Sequence, residues 1–273
     1  MLKVYLIQTD SSQGNKSQNI EKAKKMILDA RPSEGSLILL PEMFATGYLP
    51  QSLADAAEDF STRDSGETAR MLSQVADDTR CTIMGAGITH AQNGFLNHVS
   101  IYKPQSAKEF ASYDKMNLFF PEKERFIAGD KINLFTIKET NAIAGSTAPD
   151  WKVASFICYD LRFPEQFREA TKQGANLITV QAAWPAKRRA HWETLLKARA
   201  IENQVYIAAV NGTSTNPNEP KPLAGTSLII SPTGDIIAEA PANKEVVLTA
   251  ELNLQAEKDY RKSFPVLDGI API

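Results

Sequence analysis

Cysteine and histidine are scarce in this chain: among 273 residues there are two of the first, Cys81 and Cys158, and three of the second. Two thiols cannot build a disulfide framework, so a reducing compartment, the cytoplasm, is the expected location. With no Cys-x-x-Cys pair, a redox thiol protein is disfavoured. None of His90, His98 and His191 sits in a pattern typical of a Cys–His pair. Long basic runs are missing too, and 30 Lys and Arg against 32 Asp and Glu leave a net charge of −2. That balance argues against a nucleic-acid or anionic-membrane partner. No apolar segment approaches the ~18 residues that span a bilayer, and residues 1–7 lack the long apolar core and cleavage site of a secretory leader. A glycine-rich phosphate loop and a metal-ligand cluster are both lacking, so neither a nucleotide nor a metal or organic cofactor is expected. Nothing rich in Pro, Gly and Ser divides the chain, and there is no internal repeat. One domain over residues 1–273 is therefore expected, ending in a tail from about residue 252.

What is present reads as α/β. Hydrophobic residues make up 43% and charged residues 23%, ordinary for a globular protein. Leu2–Gln8 has the length of a buried strand, and Ile20, Ala23, Ile27 and Ala30 recur at helical spacing over Ser17–Arg31 until Pro32 stops them. Ser36–Leu40 is strand-like, and Ala69, Leu72, Val75 and Ala76 mark a second amphipathic helix. Thr82–Thr89 and Phe95–Tyr102 read as a hairpin turning at Asn93–Gly94. Trp151–Cys158, Leu177–Gln181 and Val205–Val210 read as strands, alternating with helices over Pro164–Gly174 and His191–Asn203. A polar loop over Asn211–Pro222 follows. Ser227–Ser231 and Ile236–Glu239 flank a turn at Pro232–Asp235, and Val246–Glu251 closes the set. So many strands suit two mixed sheets packed face to face with helices outside.

Three segments carry groups that complement one another chemically. Phe156–Ile157–Cys158 runs into Tyr159–Asp160–Leu161–Arg162–Phe163–Pro164–Glu165, a strand-to-helix elbow that can present a nucleophile beside backbone N–H groups. A free thiol titrates near ~8.5 and needs a base or cation to react at neutral pH. Glu42, just past the strand-like Leu39–Leu40, offers a base, and Lys115 in Tyr113–Asp114–Lys115 offers a cation for an oxyanion. Taken singly, each has a duller explanation. A strand cysteine is usually inert packing, which is the reading adopted for Cys81. A glutamate after proline is usually solvated, and a lone lysine usually lies on a polar face.

Together the segments resemble the three signatures of the nitrilase superfamily of carbon–nitrogen hydrolases. The residues concerned are Pro41–Glu42–Met43, Tyr113–Asp114–Lys115 and Cys158–Tyr159–Asp160–Leu161–Arg162–Phe163–Pro164–Glu165, in the same order along the chain. Similar stretches at Ala183–Trp184–Pro185, Ala198–Asn203 and Ser231–Gly234 extend the likeness from Leu2 to about Glu251. The resemblance implies a four-layer α-β-β-α sandwich and, in most members, a homodimer built through helices near the cysteine. It implies Glu42 as general base, Lys115 as electrostatic stabiliser and Cys158 as nucleophile, with the Tyr159 N–H also receiving negative charge. A second glutamate before an Ala–Gly pair, here Ala128–Gly129, is Glu122 by spacing, with Glu124 the alternative.

Within the superfamily, the cysteine motif, Trp184–Pro185 and His191–Trp192 look most like the ω-amidase branch, which hydrolyses monoamides of dicarboxylates such as 2-oxoglutaramate and 2-oxosuccinamate. A substrate carboxylate calls for arginine. Arg162 is the first candidate, against an equal expectation that it pairs with Glu165 or Glu169, and Arg188 and Arg189 come next. Phe44 and Trp184 are candidate pocket walls. An amidase for N-carbamoyl compounds or deaminated glutathione, and a binding protein on the same fold, are the alternatives.

Overall fold

Strand β1 (Leu2–Gln8) shows how the sequence divides its apolar residues between two cores. Leu2, Val4 and Leu6 enter one apolar cluster while Tyr5 and Ile7 enter another, the period-two alternation of a strand buried on both faces. The computed structural model describes residues 1–11, 13–140 and 150–269. Among these, twelve strands form two six-stranded mixed sheets. The first sheet adds β2 (Leu37–Leu39), β3 (Thr82–Ala91), β4 (Gly94–Tyr102), β5 (Ala111–Asp114) and β12 (Val246–Leu252) to β1, in the order β12-β1-β2-β3-β4-β5. The second comprises β6 (Leu134–Ile137), β7 (Trp151–Ile157), β8 (Leu177–Ala182), β9 (Tyr206–Asn211), β10 (Leu228–Ile230) and β11 (Ile236–Glu239), in the order β11-β10-β9-β8-β7-β6. Each sheet has three parallel strands, β1-β2-β3 and β7-β8-β9, flanked by antiparallel ones.

Helices α1 (Lys16–Ala30) and α3 (Glu67–Thr79) bury Ile20, Ala23 and Ile27 with Ala69, Leu72 and Val75 against the outer face of the first sheet; a one-turn helix α2 (Leu53–Ala56) lies between them in sequence. Helices α4 (Pro164–Lys172) and α5 (Arg189–Asn203) supply Phe167, Ala170, Trp192, Leu196 and Ala200 to the cluster shared with the second sheet. The result is the expected four-layer α-β-β-α sandwich in a single domain. Among the described residues no helix is long and apolar enough to cross a membrane.

Two local readings change. The β3–β4 hairpin turns through Gln92–Asn93, because Gly94 pairs with Ala91 as the first residue of β4. The stretch read as a C-terminal tail contains helix α6 (Leu254–Ser263), whose Asn253 side chain caps the N–H groups of Gln255 and Ala256. Leu254 and Glu257 are buried, and Arg261 fastens the helix to the carbonyls of Ala175 and Gln204. Residues 270–273 of that stretch lie outside the described residues.

Candidate active site

The ends of β2, β5 and β7 bring Glu42, Lys115 and Cys158 together between the sheets. Lys115 Nζ donates to Glu42 Oε1 at 2.8 Å and to Glu122 Oε1 at 2.8 Å, and all three side chains are fully buried. The Cys158 thiol lies where the charges of Glu42, Lys115 and Glu122 all act on it. Glu42 Oε2 accepts the Ala183 N–H at 2.9 Å from the end of β8, while Glu122 Oε2 accepts the Phe119 N–H at 2.7 Å. Glu122, rather than the exposed Glu124, is therefore the second glutamate at the lysine. Gly129 explains the Ala–Gly pair: its N–H donates to the Lys115 carbonyl, and a Cβ there would collide with the Asp114 carbonyl.

Backbone strain marks two of these positions. Cys158 has φ +45° and Met43 has φ +50°, left-handed conformations that cost a non-glycine residue about 1–2 kcal/mol. Asp160 holds the cysteine elbow. Its Oδ2 accepts the Ile157 N–H at 2.9 Å and the Tyr113 hydroxyl at 2.8 Å, and its Oδ1 accepts the Asn117 N–H at 2.8 Å. One buried carboxylate thus ties residues on both sides of Lys115 to the turn that carries Cys158. Burial pushes that carboxyl up, with Lys115 and the N–H donors pulling it back.

Electrostatics fixes the resting protonation of the cluster. Burial alone would bring the Lys115 ammonium down, yet the Glu42 and Glu122 charges outweigh it and hold the lysine charged. Burial lifts the Cys158 thiol well above its usual range, the Glu42 charge lifts it further, and Lys115 only partly opposes them. The resting group is accordingly a thiol and not a preformed thiolate. Burial also raises the Glu122 carboxyl, Lys115 drawing it down and Glu42 adding to the rise.

Sequence reading missed Asn97, whose amide Nδ2 reaches both Glu42 and Glu122, and Tyr48, whose hydroxyl lies within the field of both carboxylates. Burial, then the charges of Glu42, Glu122 and Cys158, drive the Tyr48 pKa upward, so it stays a neutral donor. Asn97 shares the inward register of Val99 and Ile101 on β4. A polar residue at a core-facing strand position is the signal that could have found it. Asp160 lay inside the cysteine motif without a role.

The pocket residues divide. Phe44 belongs to the outer apolar layer with Leu72, its ring against Gly85, so it packs under α3 and does not wall the pocket. Trp184 is buried, donates from Nε1 to the Arg188 carbonyl at 2.8 Å, and carries the Arg162 guanidinium 4.7 Å from its ring centroid. Arg162 also lies 5.8 Å over Tyr159, with His191 Nδ1 at 3.5 Å, and among the described residues it pairs with neither Glu165 nor Glu169. Tyr159 sits among Phe119, Phe120 and Phe163. Arg188 lies over Phe119, whereas Arg189 donates to the Ala224 carbonyl. In the polar loop after β9, Thr213 and Ser214 are buried and Thr215 bonds to Asp10, while residues 216–222 are exposed.

A family model described as carbon–nitrogen hydrolase matches residues 3–262. The chain belongs to the carbon–nitrogen hydrolase family. The hydrolase is 32% identical over 267 residues to a 2-oxoglutaramate amidase of Bacillus subtilis, covering 98% of this chain and 96% of that one. It is 33% identical over 232 residues to the omega-amidase YafV of Escherichia coli, covering 84% and 82%. The crystal structure of XC1258 from Xanthomonas campestris, a CN-hydrolase superfamily protein with an arsenic adduct in its active site, matches the hydrolase with a TM-score of 0.84. That match has 27% identity and covers 100% of this chain and 98% of that one. The hydrolase is thus an enzyme for carbon–nitrogen bonds other than peptide bonds, with two sheets in the arrangement of that family.

Proposed function

We propose that this hydrolase is a cysteine-dependent ω-amidase, cleaving the terminal amide of a dicarboxylate monoamide such as 2-oxoglutaramate or 2-oxosuccinamate. The observation that carries the reading is a single buried carboxylate, Glu42, bonded to the Lys115 ammonium and placed where its charge acts on the Cys158 thiol. Glu42 takes the thiol proton as sulfur attacks the amide carbon, and the carbonyl electron pair moves onto oxygen. Lys115 has three hydrogens and gives two of them to Glu42 and Glu122, leaving one for that oxyanion beside the Tyr159 N–H. Collapse of the intermediate breaks the C–N bond. The nitrogen leaves as ammonia with the proton held on Glu42, and a thioester remains on Cys158. Glu42 then draws a proton from water as it attacks the thioester. The carboxylic acid product departs and the proton returns to the sulfur.

Intact-protein mass spectrometry with a slow substrate tests the covalent step. The expected adduct on Cys158 equals the substrate mass less ammonia, and Cys158→Ala is expected to lose both the adduct and ammonia release. Ammonia release persisting in Cys158→Ala would overturn the scheme.

Arg162 supports the choice of an acidic substrate. Its guanidinium is half-buried, stacked on Trp184, and electrostatically coupled to Cys158 and Arg188. A guanidinium that pairs with no carboxylate among the described residues, close enough to Cys158 to feel its charge, suits the substrate's second carboxylate. Arg162→Ala is expected to lower kcat/KM for 2-oxoglutaramate by roughly 10- to 100-fold, the size of one charge-assisted hydrogen bond. A neutral amide of the same length should change little. Equal losses for both substrates would assign Arg162 to packing alone.

The resemblance also carries a cytoplasmic homodimer into this proposal. Ile201 on α5 and Ile236 and Ile237 on β11 expose apolar surface that a second copy would cover.

A further inference from the structure

Asn97 is fully buried on β4 and occupies the junction of the whole cluster. Its Nδ2 donates to Glu42 Oε1 at 2.7 Å and to Glu122 Oε1 at 3.2 Å. The same two oxygens each accept from Lys115 Nζ at 2.8 Å. Amide, ammonium and two carboxylate oxygens thus close a ring of four hydrogen bonds. The Asn97 main-chain carbonyl, in turn, accepts the Lys115 main-chain N–H at 2.9 Å, so the strand that carries the amide also fixes the backbone of the lysine. The amide orientation follows from its neighbours: turned over, its oxygen would face two carboxylate oxygens.

Charge explains why an amide suits this position. Two carboxylates around one ammonium leave an excess of one negative charge in a buried site. A second cation there would neutralise the pair and bind Glu42 too firmly for it to take up a proton. A third carboxylate would add repulsion. A neutral group with two N–H donors stabilises both anions without changing the count. The adjoining residue reinforces the placement. His98 bonds through Nδ1 to Asp114 at 2.7 Å and through Nε2 to Glu109 at 2.8 Å, fixing β4 to β5 one residue before Lys115.

We propose that Asn97 is a positioning residue of the hydrolase, tethering Glu42 and Glu122 in ionised form around Lys115 so that Glu42 is free to receive the Cys158 proton. The inference rests on Glu42 being the general base. The titratable groups facing the ring are Glu42, Glu122, Lys115, Tyr48 and Cys158, and the Asp160 carboxylate also lies within the field of Lys115. Asp114, Glu109 and His98 lie behind it on the β4–β5 side.

The pH profile of kcat/KM separates this role from plain packing. Loss of a donor makes ionised carboxylate less favourable, so the acidic limb moves to higher pH. Asn97→Ala is expected to shift that limb up by about one pH unit, the size of one charge-assisted hydrogen bond. Activity should fall roughly 10-fold on the acidic limb and recover at alkaline pH, with KM within about twofold. Asn97→Asp keeps the shape and adds a charge, and its limb should move further up than that of Asn97→Ala. A packing role predicts the reverse order, with Asn97→Asp nearer the parent. Unshifted limbs in both variants, or a uniform loss at every pH, would overturn the proposal. Glu42→Gln is run alongside: turnover surviving there sinks the general-base reading itself, whereas its loss with unshifted Asn97 limbs sinks only the role of Asn97.

Discussion

Glu42→Gln is expected to abolish amide hydrolysis while leaving Cys158 easier to alkylate at alkaline pH. A general base contributes about 10²- to 10⁴-fold, and Glu42 serves both halves of the proposed reaction, so turnover should fall by roughly 10³-fold or more. Alkylation by iodoacetamide obeys a different balance. In the parent the thiol is held protonated by burial and then by the Glu42 charge. Thiolate arises there chiefly when Cys158 hands its proton to Glu42, an exchange inside the pair that does not depend on bulk pH. In Glu42→Gln the repelling charge is gone and the proton must leave to solvent. The alkylation rate should then climb about tenfold per pH unit below the thiol pKa and overtake the parent, whose rate stays nearly flat between pH 6 and 8. Rates that fall together in both assays, with no change in slope, would mean that Glu42 only preserves the shape of the site.

The elements that could be read from sequence are those whose periodicity is long enough to stand alone. Leu2–Gln8, the α1 stripe of Ile20, Ala23 and Ile27, and the turn at Gly234 with φ +88° needed no tertiary information. Strands β5 and β6 gave no such signal. Each has four residues and lies at a sheet edge, where pairing with β4 or β7 makes it a strand. Helix α6 was lost for a related reason: its buried surface is chiefly Leu254 and Glu257, and a buried glutamate held by Arg261 does not look like core. The same distinction governs the site. Glu42, Lys115 and Cys158 are each set beside a strand end in a local motif, and Glu122 is set by its distance from Gly129. The contacts of Asn97 and Tyr48 arise across strands and loops, from register alone. Phe44 shows the converse: an aromatic residue two places after Glu42 looks the same in sequence whether it faces substrate or, as here, α3.

Lys115→Met tests the cluster as a buried charge balance. The substitution keeps most of the side-chain volume and removes the cation that Glu42 and Glu122 share at 2.8 Å each. Turnover is expected to fall by about 10³-fold, since an oxyanion donor is lost and the base is left beside an uncompensated carboxylate. Stability should fall as well, because removing one partner of a buried ionic group costs roughly 3–5 kcal/mol. For a chain of this size that is a drop in Tm of about 6–20 °C. The loss should itself depend on pH, with a definite sign. Without the lysine, burial and mutual repulsion raise the folded-state carboxyl pKa values above the ~4.3 of an unfolded glutamate. Groups raised in this way are accommodated below their unfolded pKa, and stability is lost as pH climbs through the folded one. Lys115→Met should therefore lie closest to the parent near pH 5 and fall progressively further below it toward pH 8. Adding Glu42→Gln removes one of the two facing charges, so the double variant should regain part of the lost Tm at pH 8 without regaining activity. A Tm deficit that is the same at pH 5 and pH 8, and unchanged in the double variant, would show that the lysine supports the fold by its bulk and not by its charge.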